Sequence, residues 1–441
     1  MSGGGRETAL EVLTACRRLD AWSDGSLKAA CKKNGLEPRE AAFAARLVYG
    51  VLQNRALLDF YLDCFCTGPF DKLEPFVRDV LRLGAYQILF MDRVPSSAAV
   101  HQAVEMVKTH RRQCSAGLVN AVLRKVSQNA AQLPPIPEAD VVSAMALRYS
   151  HPAWLVERLM GLVGREEAEG FLQGDNTPAP MTIQRNPLTC DRETLLDYWE
   201  GRGAAIQPHP WLADCFFLTG GGSLEEDRAF QAGWFQVQDA AARLAVLAAG
   251  PRPGDRVLDV CAAPGGKSFA CAIAMENQGH IISCDIHPKK LEAMARDGAR
   301  LGVTCVETAV RDGRSNDPAW NGAFDLVLCD VPCSGLGIIR KKPDIRYKDP
   351  AALAALPPIQ GAILDNASRY VRPGGVLLYS TCTILPEENE AVVEAFLAGH
   401  GDFAREPFLL PGPAGQTEGA VTLWPQRHGT DGFYVCKLRK L

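Results

Sequence analysis

Two cysteines stand where a reactive thiol would be placed. Cys333 lies in Asp330-Val331-Pro332-Cys333-Ser334-Gly335-Leu336-Gly337, directly after the apolar run Phe324 to Cys329. Cys382 lies in Ser380-Thr381-Cys382-Thr383, directly after Gly375 to Tyr379. Each run reads as a short strand, and each loop after it is polar or carries Gly or Pro. A thiolate is strongly nucleophilic, forms a covalent adduct and can leave again. That chemistry is needed where carbon 5 of a pyrimidine is to be methylated. Carbon 5 is a poor nucleophile until something adds to carbon 6; addition makes it enamine-like, able to attack a sulfonium methyl. Removal of the carbon 5 proton then lets the thiol be eliminated. An acid such as Asp330 beside the ring would bond its amide-like edge and favour the addition. A methyl acceptor on nitrogen or oxygen requires no covalent cysteine. Spacing does not order the two thiols.

A second constellation would hold a nucleoside. After Arg256 to Cys261, read as a strand, comes Ala262-Ala263-Pro264-Gly265-Gly266-Lys267-Ser268. Paired glycines permit a tight turn and close approach of backbone N–H groups to a ligand at a helix start. Asp285 ends the next strand, His280 to Asp285, where an acceptor for a ribose diol belongs. Asp312, in Val310-Arg311-Asp312-Gly313, would reach an exocyclic adenine amine. A single Asp in such a place is commonly a turn or cap residue; three in order carry the argument. A Walker A loop needs glycine at position 261, which is Cys, and a dinucleotide fingerprint G-x-G-x-x-G is missing. S-adenosylmethionine fits the loop best, because its amino-acid end needs backbone contacts and its ribose needs an acid.

These loops need elements to hold them. From about residue 236, strands at Arg256–Cys261, His280–Asp285, Phe324–Asp330 and Gly375–Ser380 alternate with helical segments. That alternation predicts a parallel sheet with helices on both faces and ligands beyond the carboxyl ends of the strands. Before it, residues 134–235 mix helical stretches (Trp154 to Leu162, Arg192 to Trp199) with strand-like ones (Met181 to Arg185, Cys215 to Leu218), predicting a linker and a small α+β subdomain. The linker is Ser127 to Asp140, with Pro134, Pro135 and Pro137. Residues 1–133 read as an all-α bundle. Arg6 to Leu19 carries Leu10, Leu13 and Leu19 at helical spacing. Arg39 to Phe65 carries Phe43, Leu47, Val51, Leu58 and Leu62, and further runs span Phe76 to Phe90, Ser97 to Thr109 and Ala116 to Val126. A catalytic Rossmann-like domain over 236–441 completes the division.

Composition sets outer bounds. The chain has 441 residues, about three times a typical domain of roughly 150. Hydrophobic residues at 47% and charged residues at 22% argue against disorder. Lys and Arg total 47 against 51 Asp and Glu, a formal charge of −4, which excludes a uniformly basic nucleic-acid coat. Residues 1–133 nevertheless hold 18 Lys/Arg against 13 Asp/Glu, with basic pairs at Arg17-Arg18, Lys32-Lys33, Arg111-Arg112 and Arg124-Lys125. Such pairs are ordinarily solvated helix faces; the functional alternative is a phosphate-contacting surface. No apolar stretch reaches the roughly 20 residues of a membrane helix, and Met-Ser-Gly-Gly-Gly-Arg is no signal peptide. The 15 cysteines include no C-x-x-C pair, so no metal site is expected. Cys271, Cys284, Cys329 and Cys436 sit in apolar runs as small buried hydrophobes, and a reducing cytoplasm is the simplest setting.

Residues 236–441 resemble the Nol1/Nop2/Sun family of RNA cytosine carbon-5 methyltransferases. The resemblance rests on Asp259-Val260-Cys261-Ala262-Ala263-Pro264-Gly265-Gly266-Lys267, Asp330-Val331-Pro332-Cys333-Ser334-Gly335 and Ser380-Thr381-Cys382. Gln238-Asp239, Arg340-Lys341-Lys342-Pro343-Asp344-Ile345 and Arg427-His428-Gly429-Thr430-Asp431-Gly432-Phe433 support it. Val331 departs from the usual Ala without consequence for chemistry. Residues 5–130, with Leu47-Val48-Tyr49-Gly50-Val51, resemble the NusB-type RNA-binding domain. The pairing is similar to the Sun/RsmB branch, which modifies 16S ribosomal RNA.

The resemblance implies roles that spacing left open. Cys382 becomes the nucleophile and Cys333 the thiol that assists release, with Asp330 and Lys267 completing the catalytic set. Cofactor contacts carry over onto Cys261, Ala262, Ala263, Pro264, Gly265, Gly266, Lys267, Asp285, Asp312 and Asp330, for S-adenosyl-L-methionine. Arg340, Lys341 and Lys342 become RNA contacts beside an extruded base. The implied partner is 16S ribosomal RNA, naked or partly assembled, with a monomer as the default state. Two other readings stand beside this one. The same chemistry would serve transfer RNA or 23S ribosomal RNA, and a NusB-like antitermination or assembly factor would use the fold only to hold RNA.

Overall fold

The computed structural model describes residues 4–19 and 22–441. The signal-peptide question turns on residues 1–3, and the Leu19 side chain completes the first apolar repeat; both lie outside the described residues. The chain divides into two compact units: Met1–Pro178 with Ile339–Lys348, and Ala179–Ile338 with Asp349–Leu441.

The first unit is helical, as its apolar periodicity predicts. Its helices are α1 (Gly5–Leu19), α2 (Ser23–Asn34), α3 (Pro38–Gln53), α4 (Arg55–Phe65), α5 (Pro75–Phe90), α6 (Ser96–Thr109), α7 (Ala116–Gln128), α8 (Val141–Arg148), α9 (Ala153–Val163) and α10 (Arg165–Asp175). Leu47, Leu58, Leu62, Val80, Leu83 and Leu123 are fully buried at its centre. Gly50 has a steric reason: a Cβ there would sit 1.9 Å from the Tyr86 ring, so only glycine lets α3 and α5 pack this closely. The run Arg39 to Phe65 is not one helix, because Asn54 leaves helical geometry at φ −113° and ψ 17° and separates α3 from α4. Helices α8–α10, which the sequence reading assigned to the α+β stretch, pack in this unit. The proline-bearing segment between α7 and α8 is irregular, as expected, without parting the two units.

The Ile339–Lys348 segment is bolted into this unit by its own side chains. Asp344 accepts from the Ser23 hydroxyl at 2.8 Å and its amide at 3.3 Å, capping α2 from 321 residues away. Tyr347 donates to the Leu52 carbonyl at 2.6 Å. Arg346, 1% exposed, donates to the carbonyls of Gln53 at 2.8 Å and Ser150 at 3.0 Å, and to the Asn176 side-chain oxygen. Arg346→Met would leave those acceptors dry and unpaired, and should lower stability by about 3 kcal/mol. Urea unfolding of the full chain checks this; a loss under about 1 kcal/mol would contradict it.

The second unit opens with a small antiparallel sheet of β1 (Met181–Arg185), β2 (Ala205–Pro208), β3 (Cys215–Thr219) and β4 (Phe235–Val237), in the order β2-β3-β1-β4. α11 (Arg192–Gly201) and the single turn α12 (Arg228–Gln231) accompany it, around a core of Trp199, Phe216, Phe235 and Ile183. The chain then runs through α13 (Ala240–Ala249), β5 (Arg256–Asp259), α14 (Gly266–Ala274), β6 (His280–Asp285), α15 (Pro288–Arg300), β7 (Val306–Val310) and β8 (Phe324–Asp330). It continues with the turn α16 (Pro350–Leu353), α17 (Leu356–Tyr370), β9 (Val371–Thr381), α18 (Glu390–Gly399) and β10 (Phe403–Arg405). A short hairpin β11 (Phe408–Leu409) and β12 (Gln416–Thr417), then β13 (Ala420–Leu423), the turn α19 (Pro425–His428) and β14 (Phe433–Lys440), complete it.

The large sheet has the order β10-β14-β9-β8-β5-β6-β7, with β13 also on β14. Neighbours from β7 to β9 are parallel, as alternation predicted. The expectation of a wholly parallel sheet is corrected at one edge: β14 runs antiparallel to β9, and β10 and β13 antiparallel to β14. Side chains alternate between two cores. Val257, Leu326 and Leu378 face Leu244 of α13 and Phe269 of α14, while Leu258, Val327 and Leu377 face Ile363 of α17 and Val393 of α18. From β5 the chain builds outward through β6 and β7, then returns to lay β8 on the other side. That reversal opens a crevice at the carboxyl ends of β5 and β8.

Candidate active site

Each loop singled out by chemistry leaves the carboxyl end of a strand in this crevice: Cys261–Lys267 after β5, Asp285 at the end of β6, Asp312 after β7, Asp330 at the end of β8 and Cys382 after β9. Gly265, at φ +109°, turns the chain into α14, where a Cβ would strike the Phe269 ring at 2.7 Å. No side chain caps α14, so its first amides stay open to an anionic group. Beneath the loop, Asp259 is 1% exposed; one oxygen accepts from the Ser268 hydroxyl at 2.7 Å and the other is buried without a partner. The Gln238 amide nitrogen is likewise buried and unpartnered, 3.1 Å from where a Gly266 Cβ would be. Asp285 accepts the His287 amide at 2.9 Å. Asp312 is held by Arg314 on both oxygens, which pulls its carboxyl down to about 2. A ligand reaching Asp312 would share it with that guanidinium.

Ile286 and Val310 were not singled out from sequence. Asp285 and Val310 are register partners, and the two apolar side chains, 55% and 57% exposed, stand open at the ends of β6 and β7. A flat apolar ring would cover them.

Burial pushes the Asp259 carboxyl up to about 7. An unfolded carboxyl titrates near 4, so the folded state holds an extra proton between about pH 4 and 7. This contribution is fully present below about pH 4 and declines as pH rises to about 7, by at most about 4 kcal/mol. Asp259→Asn should flatten the fall in the urea midpoint across that window; an unchanged slope would contradict the assignment.

Asp330 is fixed from two sides. Lys267 Nζ lies 2.6 Å from one carboxylate oxygen, and the Ser380 hydroxyl donates to the other at 2.7 Å. Burial works against the Lys267 charge, but Asp330 outweighs it and holds the ammonium above its ordinary value, with Asp259 and Cys382 acting the same way. Ser380 carried no signal in the sequence beyond its place in the motif.

Cys333 and Cys382 meet. Their Sγ atoms are 3.2 Å apart, joined by a hydrogen bond. That bond and burial hold the Cys333 thiol well above its ordinary value, and either sulfur can be the donor of the bond. The loops are tied together by a 2.7 Å hydrogen bond between the Ser334 and Thr383 hydroxyls. Gly337 donates to the Cys382 carbonyl at 3.0 Å and accepts from Gly432 at 2.8 Å; a Cβ on Gly337 would lie 1.9 Å from the Gly432 carbonyl. The outlying motifs converge here too, since Asp239 accepts the Asp431 amide at 3.0 Å. Cys271, Cys284, Cys329 and Cys436 are buried free thiols, as their apolar settings predict.

The Arg340–Lys342 run is not among the residues this unit brings together, for it belongs to the segment held in the helical unit. All three residues are half-buried. The Arg340 amide bonds the fully buried Asp175, whose carboxyl burial drives up to about 7, and Lys342 Nζ lies 5.8 Å from the Trp22 ring. Among the described residues no His, Cys, Asp and Glu cluster is placed to hold a metal ion, and no helix is long and apolar enough to cross a membrane.

Similarity to known proteins extends over nearly the whole chain. A family model described as 16S rRNA methyltransferase RsmB/F matches residues 246–439, that of the NusB family residues 5–128, and a ferredoxin-like domain of RsmF/B-type methyltransferases residues 151–225. The chain is 36% identical to the probable ribosomal RNA small subunit methyltransferase B of Bacillus subtilis, over 99% of this chain and 98% of that protein. It is 34% identical to the protein of the same description from Synechocystis sp., over 99% of each. The crystal structure of PH0851 superposes with a TM-score of 0.83 at 27% identity, covering 99% of this chain and 98% of that one. The chain belongs to the RsmB/F family of 16S ribosomal RNA methyltransferases.

Proposed function

We propose that this protein transfers a methyl group from S-adenosyl-L-methionine to carbon 5 of a cytosine in 16S ribosomal RNA, through a covalent adduct between Cys382 and carbon 6. The observation that carries the reading is the Cys333–Cys382 pair, two thiols in hydrogen-bond contact at 3.2 Å on neighbouring loops beside Asp330. Two thiols side by side suit an adduct that must form and then break. N- or O-methylation has no use for them.

The residues present fit the cofactor. The open amides of α14 suit its carboxylate, Asp285 a ribose diol, Ile286 and Val310 the faces of adenine, and Asp312 its amine. The unpartnered oxygen of Asp259 and amide of Gln238 lie buried against the same glycine loop. When bound, the cofactor supplies an electrophilic methyl group. Cys382, as thiolate, adds to carbon 6. Asp330, its carboxylate set by Lys267 and Ser380, orients the base through the amide-like edge. Once the methyl is on carbon 5, a water takes the proton there and the carbon 6–sulfur bond breaks, its electron pair leaving on Cys382 as the thiolate that began the cycle; Cys333 assists by donating a hydrogen bond to that departing sulfur.

The helical unit, with its excess of basic residues, serves as the RNA-holding part, and Lys341 and Lys342 are proposed phosphate contacts of that unit. Arg340 is a weaker candidate, because its backbone and charge serve Asp175. We keep the functional division into 1–133, 134–235 and 236–441, and cytoplasmic action follows from the substrate. Bisulfite sequencing of unmodified 16S ribosomal RNA after incubation with protein and cofactor tests the reading. One protected cytosine is expected. Methylation without any protected cytosine would overturn the carbon 5 assignment, and protection only in transfer RNA or 23S RNA would overturn the substrate.

A further inference from the structure

Glu388 and Asn389 are consecutive, fully buried, and used by no step above. They lie in Thr383-Ile384-Leu385-Pro386-Glu387-Glu388-Asn389-Glu390, six and seven residues beyond Cys382. Glu388 faces the loop of Cys333. Its Oε2 accepts the amide of Ser334, the residue after Cys333, at 2.9 Å. The same oxygen accepts from the Gln360 side chain of α17 at 2.9 Å, and Gln360 also donates to the carbonyl of Pro332, the residue before Cys333. The peptide groups on both sides of Cys333 are therefore tied to one carboxylate. Asn389 does the same for Cys382. Its Oδ1 accepts from the Thr381 hydroxyl at 2.6 Å, and its Nδ2 donates to the Thr383 carbonyl at 3.1 Å. The residues before and after Cys382 are thus tied to one amide. Tyr379, in β9, donates to the Glu388 carbonyl at 2.6 Å and anchors the pair to the sheet.

We infer that Glu388 and Asn389 form a two-sided clamp that sets the separation of the two thiols, Glu388 positioning Cys333 and Asn389 positioning Cys382. Neither touches the reacting atoms; each acts through the loop it holds. The separation matters because a hydrogen bond between the sulfurs weakens steeply when lengthened, and support of the departing thiolate requires that bond. Glu388 has a further mark of a specific role. Its second oxygen is buried without a partner, and so is the Gln360 oxygen, a cost that folding alone gives no reason to keep.

The clamp rests on the proposed roles of the cysteines, so the test carries both. The full chain is incubated with 16S ribosomal RNA and S-adenosyl-L-methionine. Turnover, cofactor affinity by calorimetry and the covalent protein–RNA band on a denaturing gel are followed together. Cys333→Ala should give the band and Cys382→Ala none; failure there condemns the reading of the cysteines rather than the clamp. Given those results, Glu388→Ala should raise the band about tenfold and lower turnover about tenfold, copying loss of Cys333. Glu388→Gln keeps an oxygen for both donors and should restore turnover to within about threefold of the parent. Asn389→Ala should show no band, and should erase the band when combined with Cys333→Ala. Should either alanine variant fail to fold, Glu388→Asp, which withdraws the carboxylate, and Asn389→Asp, which loses the donor to Thr383, carry the same two expectations. Equal loss of activity in the Glu388 and Asn389 variants, with cofactor affinity retained and no difference in the band, would overturn the clamp. So would unchanged activity in all of them.

Discussion

Cys382→Ala should lower methyl transfer by about 10⁴-fold or more while leaving cofactor affinity unchanged. The effect is expected to be this large because, in the proposed mechanism, the thiol supplies the bond that makes carbon 5 nucleophilic. Lys267 and Asp330 remain in place in the variant, and the proposed cofactor contacts lie on other loops: the residues after β5, Asp285 and Asp312. Binding should therefore survive when chemistry does not. Single-turnover methylation and calorimetry on the same preparation check both halves. Residual transfer within about tenfold of the parent would assign the nucleophile elsewhere. Loss of cofactor binding would show that Cys382 holds the loops rather than attacking the base.

Cys333→Ala separates the two thiols in the opposite direction. On the proposed mechanism adduct formation uses Cys382 alone, whereas its breakdown is assisted by a donor to the departing sulfur. Among the described residues the sulfur in hydrogen-bond contact with Cys382 is that of Cys333, 3.2 Å away. Removal of a positioned acid costs roughly 10²–10⁴-fold. Turnover should fall by that factor, and enzyme should accumulate bound to RNA as a slowly migrating band on a denaturing gel. A fall in turnover without that band would place the block before the adduct and remove the release role.

Legibility in the sequence followed burial. Strands β6 and β8 lie where they were expected because His280–Asp285 and Phe324–Asp330 are nearly unbroken apolar runs ending in an acid. β7 gave no such signal: Val306-Glu307-Thr308-Ala309-Val310 is an edge strand, half-exposed along its length. β14 went unread because its apolar run, Phe433 to Cys436, is only four residues before Lys437-Leu438-Arg439-Lys440, and it joins the sheet antiparallel, which βαβ alternation does not anticipate. α2 has too few apolar residues to show a period, and its cap comes from Asp344, far along the chain.

The site divides the same way. The residues proposed to react stood out because glycine pairs, strand-end acids and thiols in polar loops are rare types in constrained places. Its supports were not. Glu388 stands among three glutamates, and nothing in Pro386-Glu387-Glu388-Asn389-Glu390 tells which carboxylate turns inward. Arg346 follows a basic run and reads as solvated, yet it is the most completely enclosed arginine of the helical unit, bonded to carbonyls from distant helices. Partners decide such residues, and partners come from elsewhere in the chain.

The most direct test of the central claim uses 16S ribosomal RNA in which cytosine carries fluorine at carbon 5. Addition of Cys382 and methyl transfer proceed on such a base, but no proton can leave carbon 5, so elimination stops and the adduct persists. Digestion of the trapped complex followed by mass spectrometry should find one cytosine joined to the peptide containing Cys382, in a cofactor-dependent reaction. A base joined to the Cys333 peptide, or complete turnover of the fluorinated RNA with no trapped species, would contradict the account.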